Sequence, residues 1–320
     1  MGKRFDYFHS KKLAKHYAIQ VDEKIKDQEF DLIFAPTAST LVAYLDTSIP
    51  IISISDATIA RMIDYYESYT NLSNSSIKQA NEIERRNIEK SSVVIYASNW
   101  AAKSAIEDYG ASKEKIKVIP LGANLLEIPE INSLNFNKSF DEIHFLFLGV
   151  DWERKGGEIV LKTMQILRSK GINTFLTICG CTPNIQNEDF ITIIPFINKN
   201  TIEGEEKIAT LFQKTHFLFL PSKAECFGIV FCEASAFGVP SLTVDTGGIG
   251  NAVIDGVNGF KLKTPLPELF SELITELIES PEKYRKLSKS SRHLFEEKLN
   301  WKSWMKDVKT IIEEVVIAQK

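Results

Sequence analysis

The sequence predicts an α/β protein of two doubly wound domains that ends in a helical tail. Two patterns carry this. Short apolar runs rich in β-branched residues alternate with segments of helical period, as a parallel sheet covered by helices requires. A polar, aperiodic stretch, residues 123–141 (ANLLEIPEINSLNFNKSFD), interrupts that alternation near the middle of the 320 residues and reads as a linker.

In order, the first half opens on a charged helical segment and then offers strands at 31–35, 49–54, 93–97 and 116–119. The second half offers strands at 143–149, 174–179, 190–194, 217–220 and 241–244. Each run is bounded by Pro, Gly, Ser or Asp, as buried strands are. Helix ends are legible as well. Ser98 precedes a periodic stretch that stops at Gly110, and Gly156–Gly157 open one that stops at Gly171. After about Pro265 the chain reads as wholly helical, closing on 301–316 with Trp304, Val308, Ile311, Ile312, Val315 and Val316 on one apolar stripe. The organisation expected is therefore a domain over 1–137, a second over 138–300, and a C-terminal helix over 301–320 that packs back on the first.

With 44% hydrophobic and 25% charged residues the chain has the composition of a globular protein. A net charge of only −4 gives no overall footprint for nucleic acid. No uninterrupted apolar run reaches the roughly 18 residues of a membrane span, and the opening MGKRFDYFHSKKLAKHY carries charges where an export signal is apolar. The expected compartment is the cytosol. The four cysteines, Cys179, Cys181, Cys226 and Cys232, lack zinc-site spacing and read as reduced core thiols. Lys3, Arg4, Lys11, Lys12 and Lys15 admit two readings, a solvated helix face or a peripheral contact with anionic lipid at the inner face of a membrane.

Open parallel sheets bind ligands at the carboxyl ends of their strands, where amides of the following helices point outward. Three junctions of the second half fit. GVDWERKGG, Gly149 to Gly157, joins a cationic pair, Arg154 and Lys155, to two glycines that begin a helix, a combination suited to a diphosphate, though taken alone the segment reads equally as a solvated Arg-Lys turn. PSKAECFGIVFCEASAFGVP, 221–240, places Glu225 in a loop and Glu233 on a helix, about two turns in if the helix begins near Phe227. Glu233 lies among Cys232, Ala234, Ser235 and Ala236. It is expected to be buried and held by a partner, either the hydroxyls of a ribose or a structural cation. VDTGGIGNAV, 244–253, sets Gly247 and Gly248 where a strand becomes a helix, offering amides to an anion.

These segments resemble the C-terminal half of GT-B fold glycosyltransferases of family 4, also called glycosyl transferases group 1. The match runs through FLFLGVDWERKGG and LFLPSKAECFGIVFCEASAFGVPSLTVDTGG, with the E-x7-E signature at Glu225 and Glu233, and SSVVIYASNWAAKSAIEDYGASKEKIKVIPLGANL resembles the family's acceptor domain and hinge. The resemblance implies two Rossmann-like domains facing a cleft and a retaining, metal-independent transfer from a nucleotide diphosphate sugar, UDP- or GDP-linked, to a saccharide, lipid or other acceptor. No cofactor is implied. Lys155 with Arg154 would bind the donor diphosphate and Glu233 the ribose. Glu225 would touch the transferred sugar, with amides near Phe227, Gly228 and Ile229 completing a pocket to which Gly149, Gly247 and Gly248 belong.

The departures are specific. Val150 stands where the family usually has an Arg after the strand glycine. Ser53-Ile54-Ser55-Asp56 stands where many members end a first-domain strand in His, leaving Asp56 as the nearest substitute on the acceptor side. The first strand arrives only at Asp31, so the acceptor domain reads as abbreviated. That opens two alternatives to transfer: a non-catalytic nucleotide-sugar-binding subunit, or a GT-B sugar-nucleotide epimerase.

Overall fold

A computed structural model describes residues 2–318. The chain divides into two compact units, one of residues 1–120 together with 304–320, the other of residues 121–303.

In the first unit, α1 (Lys11–Ile25) precedes β1 (Ile33–Pro36), followed by the short α2 (Ser39–Val42), β2 (Ile51–Ser55), the short α3 (Ile59–Met62), α4 (Asn74–Lys90), β3 (Val93–Tyr96), α5 (Asn99–Glu107) and β4 (Ile116–Val118). The four strands are parallel in the order β1-β2-β3-β4. Ser10 caps α1 by accepting from Leu13 N at 3.4 Å, and Ser98 caps α5 from Ala101 N at 3.3 Å. Ala14 of α1, Ala43 beside α2 and Ile83 of α4 pack into one fully buried cluster, where small side chains let the three helices approach closely. Under the sheet, Ser53 of β2 bonds Asn87 at 2.9 Å and Ser91 at 2.7 Å, which satisfies a polar strand residue in the core.

The second unit runs β5 (Ile143–Leu148), α6 (Gly157–Ser169), β6 (Thr174–Cys179), β7 (Ile191–Ile194), α7 (Ile202–Lys214), β8 (Phe217–Leu220), α8 (Ile229–Ala236), β9 (Ser241–Val244), β10 (Gly259–Leu262), α9 (Pro267–Glu279) and α10 (Pro281–Glu297). Its six strands are all parallel in the order β10-β9-β8-β5-β6-β7. Phe145, Phe217 and Phe219 fill the centre of the sheet, with Phe270 of α9 against Phe219 at a ring distance of 4.8 Å. The last helix, α11 (Trp301–Ile317), buries Trp304, Val308, Ile311 and Val315, and from Trp304 onward it groups with the first unit. Among the described residues no helix is long and apolar enough to cross a membrane.

The observed strands fall within two residues of the expected bounds, and one strand escaped the pattern. β10 (GFKL) begins on Gly259 and alternates too briefly to register, yet it pairs with β9 along its whole length. Two corrections bear on function. The glycines Gly247–Gly248 lead into a single 3-10 turn, Ile249–Asn251, and not into a helix. Helix α8 begins at Ile229, so Glu233 lies one turn in and not two. Cys181 is a third departure. Three of the cysteines are buried as expected, but this one is only half-buried.

Candidate active site

At the carboxyl edge of the second sheet, the loops after β5, β8 and β9 are joined through main-chain atoms. Lys223 N donates to Arg154 O at 2.8 Å, and Gly248 N donates to Glu225 O at 3.1 Å. Missing side chains permit the approach. A Cβ on Gly156, whose φ is 78°, would lie 2.2 Å from Pro221 O, and one on Gly180 would lie 2.9 Å from Gly149 O. Gly149 in turn packs directly beneath Lys155, whose Cγ a Cβ there would meet at 3.2 Å.

On this frame Lys155 Nζ donates to the Glu225 carboxylate. Both residues are only 8% exposed, so each is the other's charge compensation in a poorly solvated place. Arg154 comes within 3.8 Å of the same carboxylate while donating to Ala224 O at 3.0 Å and to Asp151 at 3.2 Å. Asp151 also accepts from Arg154 N at 3.0 Å, so the loop arranges its own cation. The sequence-predicted trio Arg154, Lys155 and Glu225 is thus one cluster.

Beside it, Gly228 (φ 87°) leads into α8, and a Cβ there would strike the Phe231 ring at 2.6 Å, so glycine is required. Among the described residues no side chain caps this end, a helix start of the kind that favours an anion, although within its first turn Phe231 N already donates to Gly228 O at 3.0 Å. Phe227 itself is buried core. At the far end, Arg292 of α10 donates to Ala236 O at 2.5 Å, capping the carboxyl terminus with a cation.

Glu233 is 3% exposed, as its surroundings predicted, and its partner is one the sequence did not indicate. Lys199, in the loop after β7, donates to it at 2.5 Å, and the amide of Asn124 supports the same carboxylate. Burial raises the Glu233 pKa, and Lys199 opposes that. The structural-cation reading of Glu233 is therefore the one present without ligand. Nothing in the motif FINKNT marks Lys199, because it reaches the site through the strand order β8-β5-β6-β7. A further correction concerns Gly248, whose amide is already donated to Glu225 O and does not offer itself to an anion. Gly247, at φ 53°, makes the tight turn that permits this. Val150 is 73% exposed and supplies no charge.

Asp56 lies in the first unit, in the loop after β2. There it lines a cavity of about 180 Å³ with Thr37, Ser53, Glu84 and Asn87. Burial lifts the Glu84 carboxyl to about 7, against a smaller opposing effect of the Tyr96 hydroxyl.

Comparison with known proteins bears on the fold and the family. The family description glycosyl transferases group 1 matches residues 131–294, a span that contains every site residue of the second unit except Asn124. An uncharacterized glycosyltransferase of Methanocaldococcus jannaschii is 33% identical over 178 residues, 53% of this chain and 48% of that one. The chain spans about half the length of the curated relatives it matches. Sucrose-phosphate synthase of Thermosynechococcus elongatus superposes with a TM-score of 0.71 at 18% identity, covering 94% of this chain and 78% of that one. HepE of Anabaena, solved with UDP and glucose, gives 0.65 at 16% identity, covering 92% and 80%. These likenesses establish a fold shared with GT-B glycosyltransferases. With half of its length matched by the family description, the chain belongs to glycosyl transferases group 1.

Proposed function

We propose that the chain transfers a sugar from a nucleoside diphosphate sugar, UDP- or GDP-linked, to a saccharide or lipid acceptor, retaining anomeric configuration and using no metal ion. The observation that carries this reading is the convergence of Lys155 and Arg154 on Glu225 beside the uncapped start of α8. Two fixed cations and a helix N-terminus favour negative charge at one point, and a departing diphosphate develops such charge. In this reading the β-phosphate replaces Glu225 as the partner of Lys155, which frees the carboxylate to meet the sugar. Glu233 takes the ribose hydroxyls, and the amides at Phe227, Gly228 and Ile229 line the phosphate. Gly149 and Gly247 keep the loops close. The cavity holding Asp56 is the acceptor side. The cytoplasm is the matching compartment.

The test is a panel of nucleoside diphosphates scored by melting temperature, followed by turnover with the matching sugar donors in EDTA and NMR assignment of the product anomer. A chain that no nucleoside diphosphate stabilises ends the proposal. Donor binding without turnover on any acceptor moves it to the non-catalytic subunit.

A further inference from the structure

Residues 2–17 of the first unit form a feature that sugar transfer does not use. Main-chain bonds fix the segment: Arg4 N donates to Asn71 O at 2.8 Å, Ser73 N donates to Arg4 O at 2.8 Å, and Asp6 N donates to Ser76 Oγ at 2.8 Å. Asp6 then accepts from Phe8 N at 3.0 Å and His9 N at 3.2 Å, and its second oxygen lies 2.8 Å from His9 Nδ1. A turn tied down on its inner side in this way displays its outer side chains. Tyr7 is 77% exposed, Phe8 53% and Phe5 40%, with the Phe5 and Tyr7 rings edge to face at 5.0 Å. Isolated exposed rings are ordinary, but three within four positions on a fixed turn make a patch.

The cations Lys3, Arg4, Lys11, Lys12 and Lys15 surround these rings in the sequence, and Asp6 is the one carboxylate among residues 2–17. On α4, Glu82 is neutralised by Lys11 at 3.0 Å and Arg86 at 3.2 Å, and Lys11, the Tyr44 hydroxyl and Arg86 together hold its pKa at about 2. Lys12 and Lys15 remain exposed on α1, with Ile19 exposed on the same face. The chain as a whole carries −4, whereas residues 2–17 hold five Lys or Arg against a single carboxylate.

We propose that this edge docks on an anionic membrane surface, the rings entering the head-group region and the lysines meeting lipid phosphates. Charge complementarity selects the occupant. Exposed rings beside the exposed cations Lys12 and Lys15 suit an interface that is apolar just beneath a layer of phosphate. Phe8 and His9 also line the cavity that holds Asp56 and Glu84, so docking brings that cavity to the head groups. The proposal does not rest on the transferase reading.

The test is sedimentation of the full chain with vesicles of phosphatidylcholine alone or mixed with phosphatidylglycerol. Binding is expected only to the mixed vesicles and should weaken as salt rises. Tyr7→Ser with Phe8→Ser should weaken it about tenfold, and each of Lys12→Gln and Lys15→Gln about fivefold. These side chains are exposed, so melting temperatures should stay at the wild-type value. Equal partition with both vesicle types, or variants that bind as wild type does, would overturn the proposal. So would a dimer in solution that the Tyr7/Phe8 variant dissolves, since a second copy would then cover the patch.

Discussion

Lys155→Met tests the heart of the site. The pair it breaks has side chains 10% and 11% exposed, and stripping one partner from a buried ion pair costs roughly 3–5 kcal/mol. Arg154 stays 3.8 Å from Glu225 and softens the loss, so the expectation is the lower end, about 3 kcal/mol, or roughly 6–12 °C in melting temperature for a unit of this size. Glu225→Gln strands Lys155 in turn and should cost about 2 kcal/mol. Because each single change leaves an uncompensated buried charge and the double change leaves neither, the double variant should be more stable than the sum of the singles by at least about 1.5 kcal/mol. Urea unfolding of the four proteins measures this. Adding UDP extends the test to ligand. At about a hundred times its Kd, UDP should stabilise the wild type by about 2.7 kcal/mol, and a lost cation–phosphate contact of about 2 kcal/mol should cut that to below about 1 kcal/mol at the same concentration. A coupling within about 0.3 kcal/mol of zero, with an undiminished UDP increment, would refute both the buried pair and its role toward phosphate.

Glu225→Ala should lower turnover far more than it lowers nucleotide affinity if, as proposed, the carboxylate meets the sugar and not the base; calorimetry with UDP or GDP beside initial rates separates the two. Glu84→Gln should change how stability depends on pH. Burial holds this carboxyl at about 7 against an ordinary 4.5, so across that window the folded chain keeps a proton the unfolded chain has lost, and stability falls as pH rises. Relative to Glu84→Gln, the wild type should therefore lose about 3 kcal/mol between those limits, measured by urea titration. His216, lowered by burial to about 4, acts in the opposite sense and cancels in that comparison. Gly156→Ala forces a side chain into a left-handed turn and onto Pro221 O, so a loss of at least about 2 kcal/mol is expected, read as a lower melting temperature.

Much of this was legible because buried strands and glycine turns leave marks in one dimension. FLFL has no exposed face, so its apolar continuity located β8 to the residue, and the β-branched, Pro-bounded SLTV located β9 as closely. Arg154, Lys155 and Glu225 were legible as a group, since cations suited to a phosphate and an acidic residue suited to sugar hydroxyls stand at neighbouring strand ends. Lys199 was not, because its pairing with Glu233 depends on two strands being inserted between their loops, which no local pattern encodes. The 3-10 turn after Gly248 was misread for a related reason. Helix and single turn begin with the same glycines, and the bond from Gly248 N to Glu225 O, set by tertiary structure, decides between them.

The two amide-to-carbonyl stitches, Lys223 to Arg154 and Gly248 to Glu225, are indifferent to which side chains those positions carry. Exchanging residues along the rim can therefore retune what is recognised while the scaffold keeps its shape. Lengthening any of the three segments by a single residue is a different matter, since it would pull a stitch out of register and disturb its neighbours together. Diversity at this rim is thus expected as substitution, with insertions confined to loops outside the seam.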